Sequence, residues 1–331
     1  MRTPIASIGE NRPQINSTTE LASQLTIDPL QEEQRIRDFL RRSLKQVNRG
    51  GAVIGLSGGL DSSTCAYLLE NAVGKERILA LILPERDSNP VNIEHATRVA
   101  QELDLKTKKI DLTAILEQMG VYQLLPKETA SKERLGPLIR DICGAMGTPS
   151  LFSSSFSAMY GTKRGLLSRF LSRYLGKTAA FIEAKVRLRM LYLHHYALLN
   201  NYAVIGTIDR SESTIGFYDN YGDAVCDIAP LRHLYKTQIR QLAQYLGIPR
   251  AIIDKPSSAD LLAGLPNESF IGITYRQLDL VLKGLERGHS SDLNIQETTI
   301  SKKVIASIRE AIESNKRRES LPLALDQNRI E

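Results

Sequence analysis

Ala52-Val53-Ile54-Gly55-Leu56-Ser57-Gly58-Gly59-Leu60-Asp61-Ser62-Ser63-Thr64-Cys65-Ala66-Tyr67 reads as a buried strand, a glycine-rich turn and the start of a helix. Val53, Ile54 and Leu56 form a short apolar run, and Ala66, Leu68 and Leu69 continue on the helix beyond the turn. Such a turn suits an anion. Without Cβ atoms Gly58 and Gly59 let backbone N–H groups approach a ligand, and the helix N-terminus with the hydroxyls of Ser57, Ser62 and Ser63 favours a phosphate. Asp61 repels that phosphate unless a cation lies between them, so the turn calls for Mg²⁺ bridging carboxylate and phosphate oxygens. It lacks the Gly-Lys-Ser/Thr ending of a Walker loop and the spacing of a dinucleotide fingerprint. An ordinary strand-to-helix turn with a serine cap has the same outline, and the turn taken alone leaves both readings open.

Working outward, Asp28 and Pro29 open a helix on which Ile36, Phe39, Leu40 and Leu44 recur at helical spacing. After the turn come an apolar strand from Ile78 to Leu83, a helix over 93–103, a strand over 108–112, a helix over 112–119 and a strand from Tyr202 to Gly206 that precedes Thr207. Apolar strands alternating with helices predict an α/β fold, a doubly wound parallel sheet flanked by helices, with ligands outside the carboxyl ends of the strands. Further helices are expected over 181–200, 237–247, 275–285 and 300–314. Residues 1–27 read as a flexible leader, 28–331 as a single domain, 123–180 as an insertion and 315–331 as a polar C-terminal tail ordered only with a ligand. From Ser150 to Ala180 there are five basic residues, Lys163, Arg164, Arg169, Arg173 and Lys177, and no acidic one. Phe152, Phe156 and Tyr160, and then Leu166, Phe170 and Tyr174, lie at helical spacing. A helical insertion packed on the core explains them, as would a lid, a partner surface or a membrane-surface helix.

The chain of 331 residues is 42% hydrophobic and 24% charged, ordinary for a globular protein. A net charge of +6 without a long run of like charge gives no nucleic-acid tail and suits small anionic substrates. Cys65, Cys143 and Cys226 are odd in number and contain no Cys-x-x-Cys pair, which argues against zinc, an iron–sulfur cluster or sulfur relay and for three reduced thiols in a cytoplasmic protein. Neither a signal peptide nor a stretch of ~20 apolar residues is found, so no membrane contact is expected. His194 and His195 are adjacent and point in different directions, unlike an i, i+4 metal pair.

Ser-Gly-Gly-Leu-Asp-Ser at 57–62 resembles the pyrophosphate-binding loop of the ATP pyrophosphatase superfamily. The second half narrows this: Lys185-Val-Arg187-Leu-Arg189-Met190, Gly206-Thr207-Ile-Asp-Arg210-Ser211-Glu212, Tyr221-Gly222-Asp223, Asp227-Ile-Ala-Pro230, Leu234-Tyr235-Lys236-Thr237-Gln238 and Lys255-Pro256-Ser-Ser258-Ala259-Asp260-Leu261. In this order they resemble ammonia-dependent NAD synthetase over roughly residues 30–120 and 181–318. The resemblance implies an adenine nucleotide alpha hydrolase-like fold and an AMP-forming ligase that adenylates the carboxylate of deamido-NAD and then amidates it with ammonia. It also implies a homodimer with the dinucleotide at the subunit interface. ATP contacts fall on Gly55, Leu56, Ser57, Gly58, Gly59, Leu60, Asp61, Ser62, Thr207, Lys236 and Ser258. Mg²⁺ falls on Asp61 and Glu212, catalysis on Asp61, Glu212 and Lys236, and deamido-NAD on Arg187, Asn220, Asp227 and Lys316. Read singly, Thr207 is equally a turn cap, Glu212 a solvated helix residue and Lys236 a surface lysine. The family has lysine where Asn220 stands, histidine where Asn315 stands, and Gly-Gln-Thr-Asp-Glu where this chain has Gly264-Leu265-Pro266-Asn267-Glu268. These departures leave a paralogue acting on a different carboxylic acid as the alternative.

Overall fold

The computed structural model describes residues 17–125, 166–261, 265–288 and 300–319. Helix α1 is Ser17–Gln24 and α2 is Pro29–Gln46. Helix α2 starts where the sequence places it, because the Asp28 carboxylate accepts from the N–H groups of Leu30 and Gln31 at 3.0 and 3.2 Å, and proline costs nothing at a first helical position. Strand β1 (Gly51–Gly55), helix α3 (Leu60–Val73), strand β2 (Ile78–Ile82), helix α4 (Pro90–Glu102) and strand β3 (Lys106–Lys109) follow. Beyond α5 (Thr113–Gln118) and α6 (Val121–Leu124), helix α7 is Leu166–Asn200 and feeds strand β4, Tyr202–Ile205.

The sheet order is β3-β2-β1-β4 and all three pairings are parallel. Alternation along β1 sends Ala52 and Ile54 into a core with Ile36, Leu40 and Leu68, while Val53 faces a second core with Leu79, Leu81, Val204, Phe181 and Leu193. Helices therefore cover both faces, as near-continuous apolar strands require. The chain moves from β1 outward to β2 and β3, then returns to place β4 on the other side of β1. The reversal makes a crevice at the carboxyl ends of β1 and β4, where Ser57 and Thr207 leave the sheet.

Several boundaries differ from the sequence reading for physical reasons. Strand β3 is Lys106–Lys109, exposed throughout, and starts two residues before the expected strand over 108–112; an edge strand needs no apolar face, and lysines guard its open side. Residues Ser17–Gln24 of the expected leader form a helix because Leu21 and Leu25 are buried beside Leu278 and Val281. Helix α7 runs through residue 180 without a break. Phe152, Phe156, Tyr160, Lys163, Arg164 and Cys143 lie outside the described residues, as do the side chains of Arg169 and Arg173.

After β4 come α8 (Arg210–Ile215), α9 (Lys236–Tyr245), α10 (Arg250–Ile253), α11 (Asn267–Ile271), α12 (Tyr275–Glu286) and α13 (Lys302–Glu319). Helix α13 continues past Asn315 into the expected tail. Buried Asn315 donates to the Ser213 carbonyl at 2.8 Å and accepts from the Tyr218 hydroxyl at 2.9 Å, and Arg318 donates to the carbonyls of Gly216 and Tyr218. Among the described residues no helix is long and apolar enough to cross a membrane, and Cys65 and Cys226 are free thiols.

Candidate active site

The turn after β1 is fixed by its own serines. Ser57 donates its N–H to Ser62 Oγ at 3.2 Å, the two hydroxyls lie 2.9 Å apart, and Gly59 donates to Ser57 Oγ at 3.3 Å. Gly58 has φ +71°, a conformation glycine adopts at no steric cost. The turn presents the start of α3 to a cleft of about 260 Å³ lined by Gly55, Ser57, Asp61, Thr207, Glu212 and Ser258, among others.

Three carboxylates converge under this cleft. Asp61 comes from the first turn of α3. Asp209 precedes α8 and caps it, accepting from the Glu212 N–H at 2.7 Å, and Glu212 sits in that helix's first turn. Between them lies Lys236, the first residue of α9, fully buried, with Nζ 2.8 Å from Asp61 Oδ2, 2.8 Å from Asp209 Oδ2 and 3.1 Å from Glu212 Oε1. The Asp209 contact is one of charge, since Oδ2 has no aligned hydrogen-bond donor. Tyr275 donates its hydroxyl to Glu212 Oε1 at 2.7 Å and receives one from Asn267 at 3.1 Å.

Burial alone pushes the Lys236 ammonium down, but Asp209, Asp61 and Glu212 outweigh it and hold its pKa well above the ordinary value. The Asp209 carboxyl is raised by burial and then by Glu212, against the pull of Lys236. Three carboxylates share one ammonium, so the cluster is short of positive charge. Asp61 Oδ1 is buried without a hydrogen-bond partner. A hard divalent cation would answer both observations, since Asp61 and Glu212 are oxygen donors. Among the described residues no group of three or more His, Cys, Asp or Glu side chains has the arrangement of a metal cage.

The expected dinucleotide contacts do not line this cleft. Arg187 makes a bidentate pair with Asp219, at 2.7 and 3.1 Å, and a second pair with Glu183. Asp227 accepts the Val204 N–H at 2.7 Å, Asn220 donates to the Arg318 carbonyl at 3.0 Å, and exposed Lys316 pairs with Glu313. His194 contacts the Val225 carbonyl. Leu265 is buried in the second core, and Asn267, the third of the departing residues, faces the cleft beside Tyr275.

A sequence model described as NAD synthase matches residues 32–143 and 171–322. The NH(3)-dependent NAD(+) synthetase of Coprothermobacter proteolyticus is 38% identical over 268 residues, 80% of this chain and 87% of that protein. The chain belongs to the NAD synthase family. The NH(3)-dependent NAD(+) synthetase of Methanocaldococcus jannaschii is 33% identical over 87% of this chain and 93% of its own. The NH3-dependent NAD synthetase from Campylobacter jejuni superposes with a TM-score of 0.61 at 26% identity, covering 91% of this chain and all of that one.

Within this NAD synthase frame, four site residues escaped the sequence reading. Asp209 had no role in the sequence reading, and in the structure it caps α8. Tyr275 and Asn267 arrive from more than fifty residues away with no periodic signal. Lys255 stood inside a quoted motif without a role, yet it lines the cleft and donates to the Gly58 carbonyl at 3.0 Å and to Asn92 Oδ1.

Proposed function

We propose that this chain is an ammonia-using NAD synthetase: it adenylates the carboxylate of deamido-NAD with ATP, releasing pyrophosphate, and ammonia then displaces AMP to give NAD. One observation carries the reading, the pairing of Asp61 and Glu212 around buried Lys236 at the mouth of the glycine turn, with Asp61 Oδ1 left without a partner. When bound there, Mg²⁺ supplies charge neutralisation to the phosphates. The chain's own residues do the rest. The turn from Gly55 to Ser62 orients the triphosphate so that a carboxylate oxygen meets the α-phosphorus in line with the leaving pyrophosphate. Thr207 and Ser258 edge the same cleft; Thr207 has a hydroxyl to donate, and the Ser258 hydroxyl, which donates to the Leu265 carbonyl at 3.0 Å, would turn to reach a phosphate. Lys236 holds the two metal-binding carboxylates in place.

In the second half-reaction the ammonia lone pair attacks the acyl carbon, the C–O bond to AMP breaks, and the nitrogen sheds a proton. Asp223 lines the cleft, and its pKa is pushed up to about 7, by burial first and by Glu212 and Asp219, which suits it to receive that proton. We assign the enzyme to the cytoplasm, in keeping with free Cys65 and Cys226.

The test is AMP and pyrophosphate release with deamido-NAD, ammonium and Mg²⁺. Turnover should depend on all three, and Asp61→Asn or Glu212→Gln should lower it about 10³-fold with the fold retained. AMP release that ignores deamido-NAD would assign the site to another carboxylic acid.

The active unit is a homodimer on this reading. Helix α7 exposes Leu191, Leu198 and Leu199 at 64, 70 and 66%; Val225, exposed at 44%, meets the same helix at His194, and Tyr221, exposed at 62%, meets it at Arg187. An apolar face of this kind suits a second copy. Leu198→Glu should turn a dimer into a monomer in sedimentation; a wild-type chain that sediments as a monomer would defeat the assignment.

A further inference from the structure

Resemblance gives a phosphate contact to Lys236, and the lining of the cleft adds further cations. A lysine ammonium has three protons to donate and no more. Lys236 donates to Asp61 and Glu212 and has a contact of charge with Asp209, and the side chain has no exposed surface. It lies under the cleft and is not part of its lining. Among the described residues of the lining, the cations are Arg189 and Lys255. Arg189 stands at the end of β2, with Nε donating to the Leu83 carbonyl at 3.3 Å. Lys255 stands at the glycine turn itself, two of its protons going to the Gly58 carbonyl and to Asn92 Oδ1. Both acceptors are uncharged, and the third proton is left for the cleft.

We propose that Lys255 is a phosphate-binding cation of this enzyme, reaching the pyrophosphate portion of ATP at the Gly58 turn and carrying its growing negative charge as the bond to the α-phosphorus breaks. Two neutral acceptors aim the ammonium without cancelling its charge, which is how a compact point charge is prepared for a phosphate. Burial lowers the Lys255 pKa, and the Asp260 carboxylate works in the opposite direction; a bound pyrophosphate would favour the charged form further. The division of labour is then clear. Lys236 keeps Asp61 and Glu212 fixed, and Lys255 meets the leaving group.

This rests on the adenylating reaction proposed above, so the test uses inorganic pyrophosphate with Mg²⁺, whose binding does not depend on which acid is activated. Calorimetry on the wild type should give a binding isotherm. Lys255→Gln, which keeps amide protons for Gly58 and Asn92 but removes the charge, should weaken pyrophosphate binding about 10- to 100-fold. It should lower kcat/KM for ATP to a similar extent with the KM for the acid unchanged, and Lys255→Arg should recover part of the loss. Asn92→Ala removes one brace while leaving the charge, and should weaken pyrophosphate binding much less. A folded Lys255→Gln that binds pyrophosphate as the wild type does would overturn the assignment and make Lys255 a brace for the turn. A wild type that binds no Mg²⁺-pyrophosphate would overturn the adenylation reading along with it.

Discussion

Replacing Lys236 by methionine should reduce turnover below one thousandth of the wild-type rate and lower Tm by about 10 °C at pH 8. Methionine keeps most of the volume, so the loss is electrostatic: three carboxylates, two of them with little exposed surface and Asp209 with none, lose their ammonium. Breaking a buried ion pair from one side costs about 3–5 kcal/mol, and in larger domains each kcal/mol moves Tm by about 2–4 °C. The pH dependence has a definite sign. In the wild type Lys236 is held above its ordinary pKa, so its contribution is fully present below the unfolded value and is lost only at strongly alkaline pH. Asp209 is already raised by burial and Glu212, and without Lys236 it rises further. A carboxyl raised in the folded state binds more protons there than in the unfolded chain, so stability grows as pH falls. The gap between variant and wild type should therefore narrow from pH 8 to pH 5, and Mg²⁺ should stabilise the variant more than the wild type by replacing the missing charge. Thermal melts with an equal gap at both pH values would refute this account.

The same cluster marks the limit of what the sequence could reveal. The parallel sheet and its switch point were legible because each strand–turn–helix unit is local: Val53, Ile54 and Leu56 before two glycines, Ile78 to Ile82 as an unbroken apolar run, Asp28 before Pro29. Asp61 and Glu212 were legible through an ordered succession of motifs. That Lys236 has carboxylate partners was not, because they come from two other helices, α3 and α8, and only the fold brings them to one ammonium. Asp209 carried no signal of its own, although it caps α8. The bounds of strand β3 were blurred by its lysines, since a sheet edge in water carries no apolar signature. Helix α13 was expected to end before Asn315 because its last turn is polar; that turn is held by hydrogen bonds to Ser213, Gly216 and Tyr218, about a hundred residues earlier. Neutral asparagines at 220 and 315 thus join α13 to the segment that follows Glu212.

Gly58→Ala should be the most damaging single-methyl change in the glycine turn, and Gly59→Ala among the mildest, although the two residues are neighbours of identical chemistry. A Cβ on Gly58 would lie 2.1 Å from the Asn92 carbonyl oxygen and 2.7 Å from the Ala96 nitrogen. Both are backbone atoms of α4, so no rotamer change relieves the contact, and φ of +71° adds the strain of a left-handed residue. A Cβ on Gly59 meets only Ser57 Oγ at 3.3 Å, and its φ of −90° is open to any residue. Alanine at 58 must push the turn and α4 apart. Asn92 also accepts from Lys255, so the displacement reaches that ammonium as well as the amides of the turn. A shift of about 1 Å in a catalytic frame costs about 100-fold in rate, and the strained, overpacked site should cost about 3 kcal/mol in stability. Urea melts and ATP-dependent AMP release on the two variants measure both effects. Gly59→Ala should keep wild-type stability within about 1 kcal/mol and most of the activity. Equal losses at both positions would mean that general glycine flexibility, and not the close approach of Gly58 to α4, governs the turn.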